Sequence, residues 1–478
     1  MTDPNTILIF PTIDLFVYQL AEGLGQDDSA IAQNRQSFWH KIYGDTIPPG
    51  RLEQSLHLEL TASDYIHLLK NTEEKLFPEP HDGFYNPVKI GDTYALQINC
   101  SSDKNKALAP FAPRAIKASF QTIKKILDKY YHAPDDAHQT LNFGQTWFVW
   151  GQLISEKQDP NAIAKSIYEQ LNLFDNLPWE DEEIDQPTTI PIHPSQPLFF
   201  ERWQLPSDRG DIRQNRHLVI ALLPPDQRPE KTIATTINPL YPDLIRLFLS
   251  RHKIIWTYNR SRQYKANLKN AAKEVQKRVK KLPEKIEQSI RADLKVDLGA
   301  LQQELADTLN LMSSYAETLS YLEEQKNTIE TNLKNHQRMI TALNLTALNG
   351  FIPIVTDKYL PQITSDLASL GSGLKLLENT VRTIEGIINI EQAKSDRALN
   401  ETIYQTGLNQ AKSDRALNET IFAASAALAT SQIIGSVLIA YYPPPKDSNF
   451  LNYGGSIFGG SILFGFVVFW LVRKILPR

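Results

Sequence analysis

The chain has 478 residues, 42% of them hydrophobic, and a formal net charge of −4. This length allows two or three domains, and the nearly neutral charge does not favour binding to nucleic acid. The single cysteine, Cys100, excludes an intramolecular disulfide and a cysteine-rich zinc site. The first residues lack a basic segment followed by a long apolar one, so we expect no signal peptide.

The first half of the chain, residues 1–250, is predicted to be an α/β domain. Its strand candidates are short apolar runs bounded by Pro, Gly, Asp or Asn. They are Ile7–Phe10, Tyr94–Cys100, Thr146–Leu153, Leu198–Leu205 and His217–Leu223. Apolar residues three and four apart predict a helix over Ile116–Tyr131. Proline-rich segments, among them PEPHDGFYNP at Pro78–Pro87, are interpreted as loops.

Residues 251–362 are predicted to form a pair of long antiparallel helices. Between Arg260 and Lys285 there are ten Lys or Arg against two Glu, and Pro283 is expected to interrupt this basic helix. From Leu294 to Leu343 apolar residues alternate at spacings of four and three, with mostly acidic residues among them. A basic helix followed by an acidic one favours mutual neutralisation.

A third helix is predicted from Ile363, after a break at Gly350, Pro353 and Pro361. We interpret residues 363–420 as a coiled-coil stalk. The twelve residues QAKSDRALNETI occur twice, at Gln392–Ile403 and Gln410–Ile421, so that the second copy ends on the first residue after the stalk. The copies are eighteen residues apart, which is five helical turns, so each residue lies on the same face as its counterpart.

Two apolar runs near the C-terminus predict membrane-spanning helices at 421–442 and 456–472, because about 20 apolar residues cross a bilayer. Basic residues precede the first run and follow the second. By the positive-inside rule, residues 1–420 and the tail 473–478 are cytoplasmic, and the link 443–455 lies outside. We therefore expect a multi-pass protein of the plasma (inner) membrane with an α+β fold, in which a cytoplasmic α/β domain and a helical stalk precede the two spans.

One face of the third helix carries a polar stripe that continues into the first predicted span. The stripe consists of Asp396, Asn400, Asp414, Asn418, Ser425, Leu428, Gln432 and Ser436. Such a face avoids lipid, because unpaired polar groups in hydrocarbon are costly. In an oligomer it would form rings that line a cation pore, with Leu428 as a constriction.

Helix packing explains the same stripe without a pore, as a coiled-coil seam or a set of small polar contacts. The repeat is also compatible with a duplication that was merely tolerated. In the second span, small residues at four-residue spacing predict close packing against the first. They are Gly455, Gly459, Ser461 and Gly465.

This layout resembles the CorA family of divalent-cation channels, which places a cytoplasmic α/β domain, antiparallel helices, a stalk, two spans and a basic tail in the same order. The resemblance implies a homopentamer, a divalent cation such as Mg²⁺ as substrate or regulator, and acidic stalk positions that act as gates. The family signature Gly-Met-Asn is absent from the corresponding segment Leu438–Asp447.

The main functional hypothesis is an oligomeric cation channel or transporter gated by its cytoplasmic domain, with the bilayer and further copies of itself as partners. A signal-activated effector that permeabilises the membrane is one alternative, with a small-molecule signal at the N-terminal domain. A membrane-anchored coiled-coil scaffold without a pore is the other. No catalytic motif or set of metal ligands is recognisable, so we expect neither an enzyme nor a nucleic-acid-binding protein.

Overall fold

The computed structural model describes most of the chain up to residue 407. The described residues are 8–23, 25–60, 63–69, 75–103, 120–133, 141–174, 177–179, 197–206, 212–225, 235–291 and 298–407, with single positions from 421 onward. The chain divides into two compact units. One combines Met1–Gln288 with Ala306–Val381, and the other combines Ser289–Leu305 with Arg382–Arg478.

The first unit is built on a mixed β-sheet. Among the described residues it has eight strands, in the order β2-β4-β5-β1-β6-β8-β7, with β3 paired to β4. All neighbours are antiparallel except β6 and β8, which are parallel. The strands are β1 (Leu8–Leu20), β2 (Tyr65–His67), β3 (Lys75–Leu76), β4 (His81–Ile90), β5 (Thr93–Asp103), β6 (Asn142–Leu153), β7 (Leu198–Gln204) and β8 (Arg216–Leu223).

Both faces of the sheet are covered, which explains why its central strands are almost continuously apolar. In β1, Ile13 and Leu15 face one core, whereas Phe16 and Tyr18 face the other. The first core is covered by α1 (Asp28–Tyr43), α2 (Arg51–Glu59), α3 (Phe120–Tyr130) and α4 (Pro160–Leu171). The start of α5 (Tyr241–Arg291) and the end of α6 (Leu298–Leu343) cover the second.

Helices α5 and α6 run antiparallel. Ser250 Oγ lies 3.3 Å from His336 Nδ1, and farther along the pair the rings of Tyr264 and Tyr321 are 5.7 Å apart. The interface is a ladder of buried apolar residues that extends onto the next helix. The predicted break at Pro283 is wrong, because α5 continues through it to Arg291. An internal proline removes one hydrogen bond, which a helix with many intact turns on either side can tolerate.

The connection from α6 to the third long helix is short. Asn344, with φ of 55°, follows α6, and a 3-10 turn occupies Thr346–Leu348. The chain becomes helical again at Phe351–Pro353, passes through a π-helix at Ile354–Tyr359 and continues as α7 (Leu360–Gly407).

The predicted start of the third helix near Ile363 is therefore too late. Pro353 lies in the first helical turn, where its missing N–H has no intrahelical acceptor. At Pro361 the preceding π-helical turn accommodates the lost hydrogen bond. Neither proline breaks the helix.

Within the first unit, α7 packs on α5 and α6. Arg262 Nη1 and Lys265 Nζ of α5 lie 3.0 and 2.5 Å from the carboxylate of Asp366, which is buried. The hydroxyl of Tyr315 on α6 donates to the Leu370 carbonyl at 2.7 Å. These ion pairs and this hydrogen bond thus fix the position of α7 beside the antiparallel helices α5 and α6.

The α+β fold with long helices is confirmed. Across the described positions, no helix combines the length and the apolar character needed to cross a bilayer. The predicted spans 421–442 and 456–472 lie almost entirely outside those positions, and the membrane assignment stays a prediction.

Candidate functional site

The predicted polar stripe is only partly described. Asp396 and Asn400 lie on α7, one turn apart, and both are exposed, as is Ser425. The stripe positions outside the described residues are Asp414, Asn418, Leu428, Gln432 and Ser436. The predicted packing positions outside them are Gly455, Gly459, Ser461 and Gly465.

The first nine residues of the first repeat copy, Gln392–Asn400, have no cover from the described part of their own chain. Up to Ile388, α7 has a buried or half-buried residue every three or four positions. From Gln392 to Asn400 every residue is exposed, including Leu399 at 53%. An α-helix whose whole circumference faces solvent is stabilised in folded proteins chiefly by partners, because isolated helices are marginal in water.

A second candidate lies inside the first unit. Five polar residues with buried side chains, which we call the relay, form one chain of hydrogen bonds: Glu201 on β7, His217 on β8, Thr146 on β6, His252 on α5 and Asn215 just before β8. Glu201 Oε1 lies 2.9 Å from His217 Nε2, and His217 Nδ1 lies 2.8 Å from Thr146 Oγ1. Thr146 Oγ1 is 2.7 Å from His252 Nε2, and His252 Nδ1 is 2.9 Å from Asn215 Nδ2.

At the Asn215 end of the relay, which we call the inner end, the direction of the hydrogen bonds is fixed. Asn215 Oδ1 lies 3.5 Å from Arg251 Nη1, which can only donate, and Asn215 Nδ2 lies 3.4 Å from the Phe143 carbonyl, which can only accept. The amide therefore donates to His252 Nδ1. The neutral imidazole of His252 must then carry its hydrogen on Nε2 and donate it to Thr146.

The same hydrogen-bond direction continues to the Glu201 end, which we call the outer end. When Glu201 is ionised it can only accept, so the neutral imidazole of His217 has a bare Nδ1, which accepts the single hydroxyl hydrogen of Thr146. His217 is then protonated on Nε2 and donates to Glu201. With both imidazoles neutral and Glu201 as the final acceptor, every bond of the relay is satisfied.

Burial governs the titration of these groups. Desolvation lowers the pKa of both His217 and His252 well below the ordinary value, with the nearby Arg251 charge as a further cause. Desolvation raises the pKa of Glu201 to about 7, against the opposing effect of Arg251. The same burial lowers the pKa of Arg251 to about 10. The relay can thus hold or release one proton near neutral pH, at Glu201.

Arg251 lies between the relay and the connection that leads to α7. Its side chain is fully buried, with the guanidinium carbon 5.0 Å from the centre of the Phe351 ring. Among the described residues, no acceptor forms a hydrogen bond with its Nε or Nη2. Gly144 lets the backbone of β6 come close to His252, since a Cβ at this position would lie 2.5 Å from His252 Nδ1.

A further buried carboxylate, Asp14, is held by neutral donors. Gln97 and Asn99 donate to Oδ1, and Trp150 and Tyr241 donate to Oδ2, at 2.8–2.9 Å. Desolvation raises the pKa of Asp14 despite these four bonds. All of its acceptor directions are used inside the fold, which indicates a structural role that ties β1 to β5, β6 and α5.

The described part of the chain contains no cluster of three or more His, Cys, Asp or Glu side chains that could hold a metal ion. It does contain a cavity of about 260 Å³ between the start of β7, the approach to α5 and the α6–α7 connection. Phe199, Thr236, Asn344 and Thr346 are among its lining residues. This cavity adjoins the same connection as Arg251 and Glu201.

Sequence reasoning missed the relay, since its histidines showed no ligand-like spacing. One signal was present: Arg251 and His252 lie between the apolar runs Leu247–Leu249 and Ile254–Trp256, in a stretch whose other polar residues are Arg246, Ser250 and Lys253. Polar residues on the buried face of a helix need partners, so this pair indicated a buried polar site.

No family model matches the chain, and no curated protein matches it. Among solved structures, one that is similar is the CorA magnesium transporter from Methanocaldococcus jannaschii, with 12% identity over 70% of this chain and 90% of that chain. The TM-score of this match is 0.13, so the likeness carries no argument about the fold or function of this chain.

Proposed function

We propose that this chain is a self-associating membrane protein that conducts cations and is gated by its sheet domain. The observation that carries the proposal is the fully exposed helical segment from Gln392 to Asn400. It presents a stripe with Asp396 and Asn400 on one face, and it contains Leu399, an apolar residue that no described part of the chain covers.

The exposed apolar side chains near the C-terminus support the membrane location. Phe422 is 71% exposed, and in the second predicted span Leu463, Phe466 and Trp470 are 69, 71 and 60% exposed. Large apolar side chains repeatedly exposed in two uncharged segments favour a lipid or protein environment over water. We therefore place 421–442 and 456–472 across a plasma (inner) membrane, with both termini in the cytoplasm.

Self-association supplies the partner that the exposed helix needs. If several copies of α7 surround an axis with their polar stripes inward, Asp396 forms a ring of carboxylates, and Asp414 forms a second ring five turns farther along. Rings of carboxylates attract hydrated cations, and divalent cations such as Mg²⁺ prefer oxygen ligands. We propose a divalent cation as substrate and a pentamer as the assembly, the number that the family resemblance implies.

Cation flux into liposomes tests the proposal. We expect the wild-type chain to admit Mg²⁺, and Asp396→Asn to lower the flux at least several-fold. Glu401→Gln is the matched control, because it removes a carboxylate about 140° away on the same helix and should leave the flux unchanged. Absence of wild-type flux, or equal loss in both variants, would contradict a pore lined by this stripe.

Native mass in detergent separates the alternatives. A pentamer with spontaneous flux agrees with the channel. A dimer without flux indicates the coiled-coil scaffold, and an oligomer that conducts only after a small ligand is added indicates the signal-activated effector.

A further inference from the structure

Glu201 lies where the relay meets the connection between α6 and α7. Its side chain is 7% exposed, and Oε2 lies 3.9 Å from the position that a Cβ on Gly350 would occupy. Strand β7 packs against the 3-10 turn Thr346–Leu348 just before that glycine. The connection therefore covers the carboxyl group and shields it from water.

The ionisable groups around Glu201 come from four elements. His217 on β8 and Arg251 on α5 face it directly, and next to these two lie His252 on α5, His336 on α6 and Tyr359 in the π-helix. Burial lowers the pKa of His336 to about 4, and His217 and His252 are also neutral at pH 7. Arg251 keeps its charge, since its pKa stays near 10.

The relay can accept a proton at its outer end without rearranging. If Oε2 is protonated, Oε1 still accepts from His217 Nε2, and every other hydrogen bond keeps its direction. A proton on His252 would place its Nδ1–H against the N–H of the Asn215 amide. A proton on His217 would force Thr146 to accept from both histidines and to turn its own hydrogen out of the relay. Glu201 is the position that takes the extra proton with no change in the other hydrogen bonds, and burial also disfavours a charge on either histidine.

We propose that Glu201 is a proton-binding site whose occupancy holds the Asn344–Phe351 connection against the sheet. When the proton leaves, the carboxylate is ionised in a dry position, and its preference for water favours the conformation in which the connection lifts away. A ligand shifts such an equilibrium only through its different affinity for the two states, and here the ligand is the proton.

The size of the shift follows from linkage. In the closed state the pKa of Glu201 is about 7, whereas an exposed glutamate has the ordinary value of 4.5. The closed state therefore binds the proton more tightly, and opening becomes easier as pH rises through 7. Between pH 5.5 and 8.5 the opening equilibrium constant should increase about 30-fold.

Hydrogen exchange of the full-length chain in detergent tests this inference. The readout is the protection of the Leu345, Leu348 and Ile352 amides, which donate to backbone carbonyls within or beside the connection. After correction for the intrinsic pH dependence of exchange, wild-type protection should fall about 30-fold from pH 5.5 to 8.5. Glu201→Gln, which mimics the protonated state, should keep high protection at both values.

The matched control is Glu169→Gln, which removes an exposed carboxylate from α4 and should behave like the wild type. Equal wild-type protection at pH 5.5 and 8.5 would overturn the inference, and this measurement does not depend on any variant folding. A pH-dependent fall that persists in Glu201→Gln would also overturn it. Neither readout requires ion flux, so this inference can fail or hold independently of the proposed channel.

Discussion

The packing of α7 on α6 can be tested at two glycines two residues apart in the same helix. A Cβ on Gly373 would lie 2.4 Å from Tyr315 Oη and 2.8 Å from its Cζ, whereas a Cβ on Gly371 would have nothing within 4 Å. Tyr315 is 1% exposed, and its hydroxyl donates to Leu370, so the ring has little freedom to move. The two alanine variants should therefore have opposite effects.

The magnitudes come from opposing terms. Replacing glycine by alanine inside a helix stabilises it by about 1 kcal/mol. At Gly373 the alanine also overpacks the site, at a cost of about 1–3 kcal/mol, and displaces a hydrogen bond worth about 1 kcal/mol. Gly371→Ala should raise the free energy of unfolding by up to about 1 kcal/mol, whereas Gly373→Ala should lower it by about 1–3 kcal/mol.

Urea denaturation of the full-length chain in detergent, followed by circular dichroism, measures both changes under one set of conditions. Tyr315→Phe combined with Gly373→Ala should recover part of the loss, because the closest clash involves the hydroxyl oxygen. If Gly373→Ala is as stable as Gly371→Ala, the close α6–α7 contact at Tyr315 is not present in solution.

Two further predictions concern buried polar groups. Burial lowers the pKa of Lys41 to about 7, from an ordinary value of 10.5, so the unfolded state binds the extra proton and stability should rise with pH. The free energy of unfolding should increase by about 3 kcal/mol between pH 7 and 10, and Lys41→Met should abolish that rise in denaturation curves. Gly144, with φ of 139°, adjoins the relay, and Gly144→Ala should cost about 3 kcal/mol or more through strain and a clash with His252. Gly91→Ala, at φ of 55° with open space around it, should cost only about 1–2 kcal/mol in the same thermal or urea assay, and equal losses would contradict the clash.

Short-range sequence patterns predicted the strands whose own residues form an apolar run. Each of the five apolar runs lies on a strand or overlaps one, as His217–Leu223 does on β8, because burial on both faces produces a continuous apolar sequence. The loop assignment of Pro78–Pro87 was wrong from His81 onward, since β4 covers His81–Ile90. Pro87 lacks an N–H, but its carbonyl still accepts from Leu68, so acceptor pairing continues through the proline.

The relay could not be predicted in the same way. Thr146 and His252 are 106 residues apart, and they meet only because β6, β8 and β7 are adjacent and α5 returns over them. Such contacts depend on strand order, which single-sequence patterns do not determine. The polar stripe of α7, in contrast, can be predicted from helical periodicity alone. Its described members are exposed.

The hydrogen-bond direction along the relay restricts which amino acids can occupy its five positions. At Thr146 serine preserves both a donor and an acceptor, whereas valine, although similar in shape, removes both. At Asn215 aspartate has the right size but offers no N–H to His252. The five positions are therefore coupled, and an exchange at one is tolerated only if the donor and acceptor pattern along the whole line survives. In a comparison of natural variants of this chain, the relay should change as a group or remain unchanged.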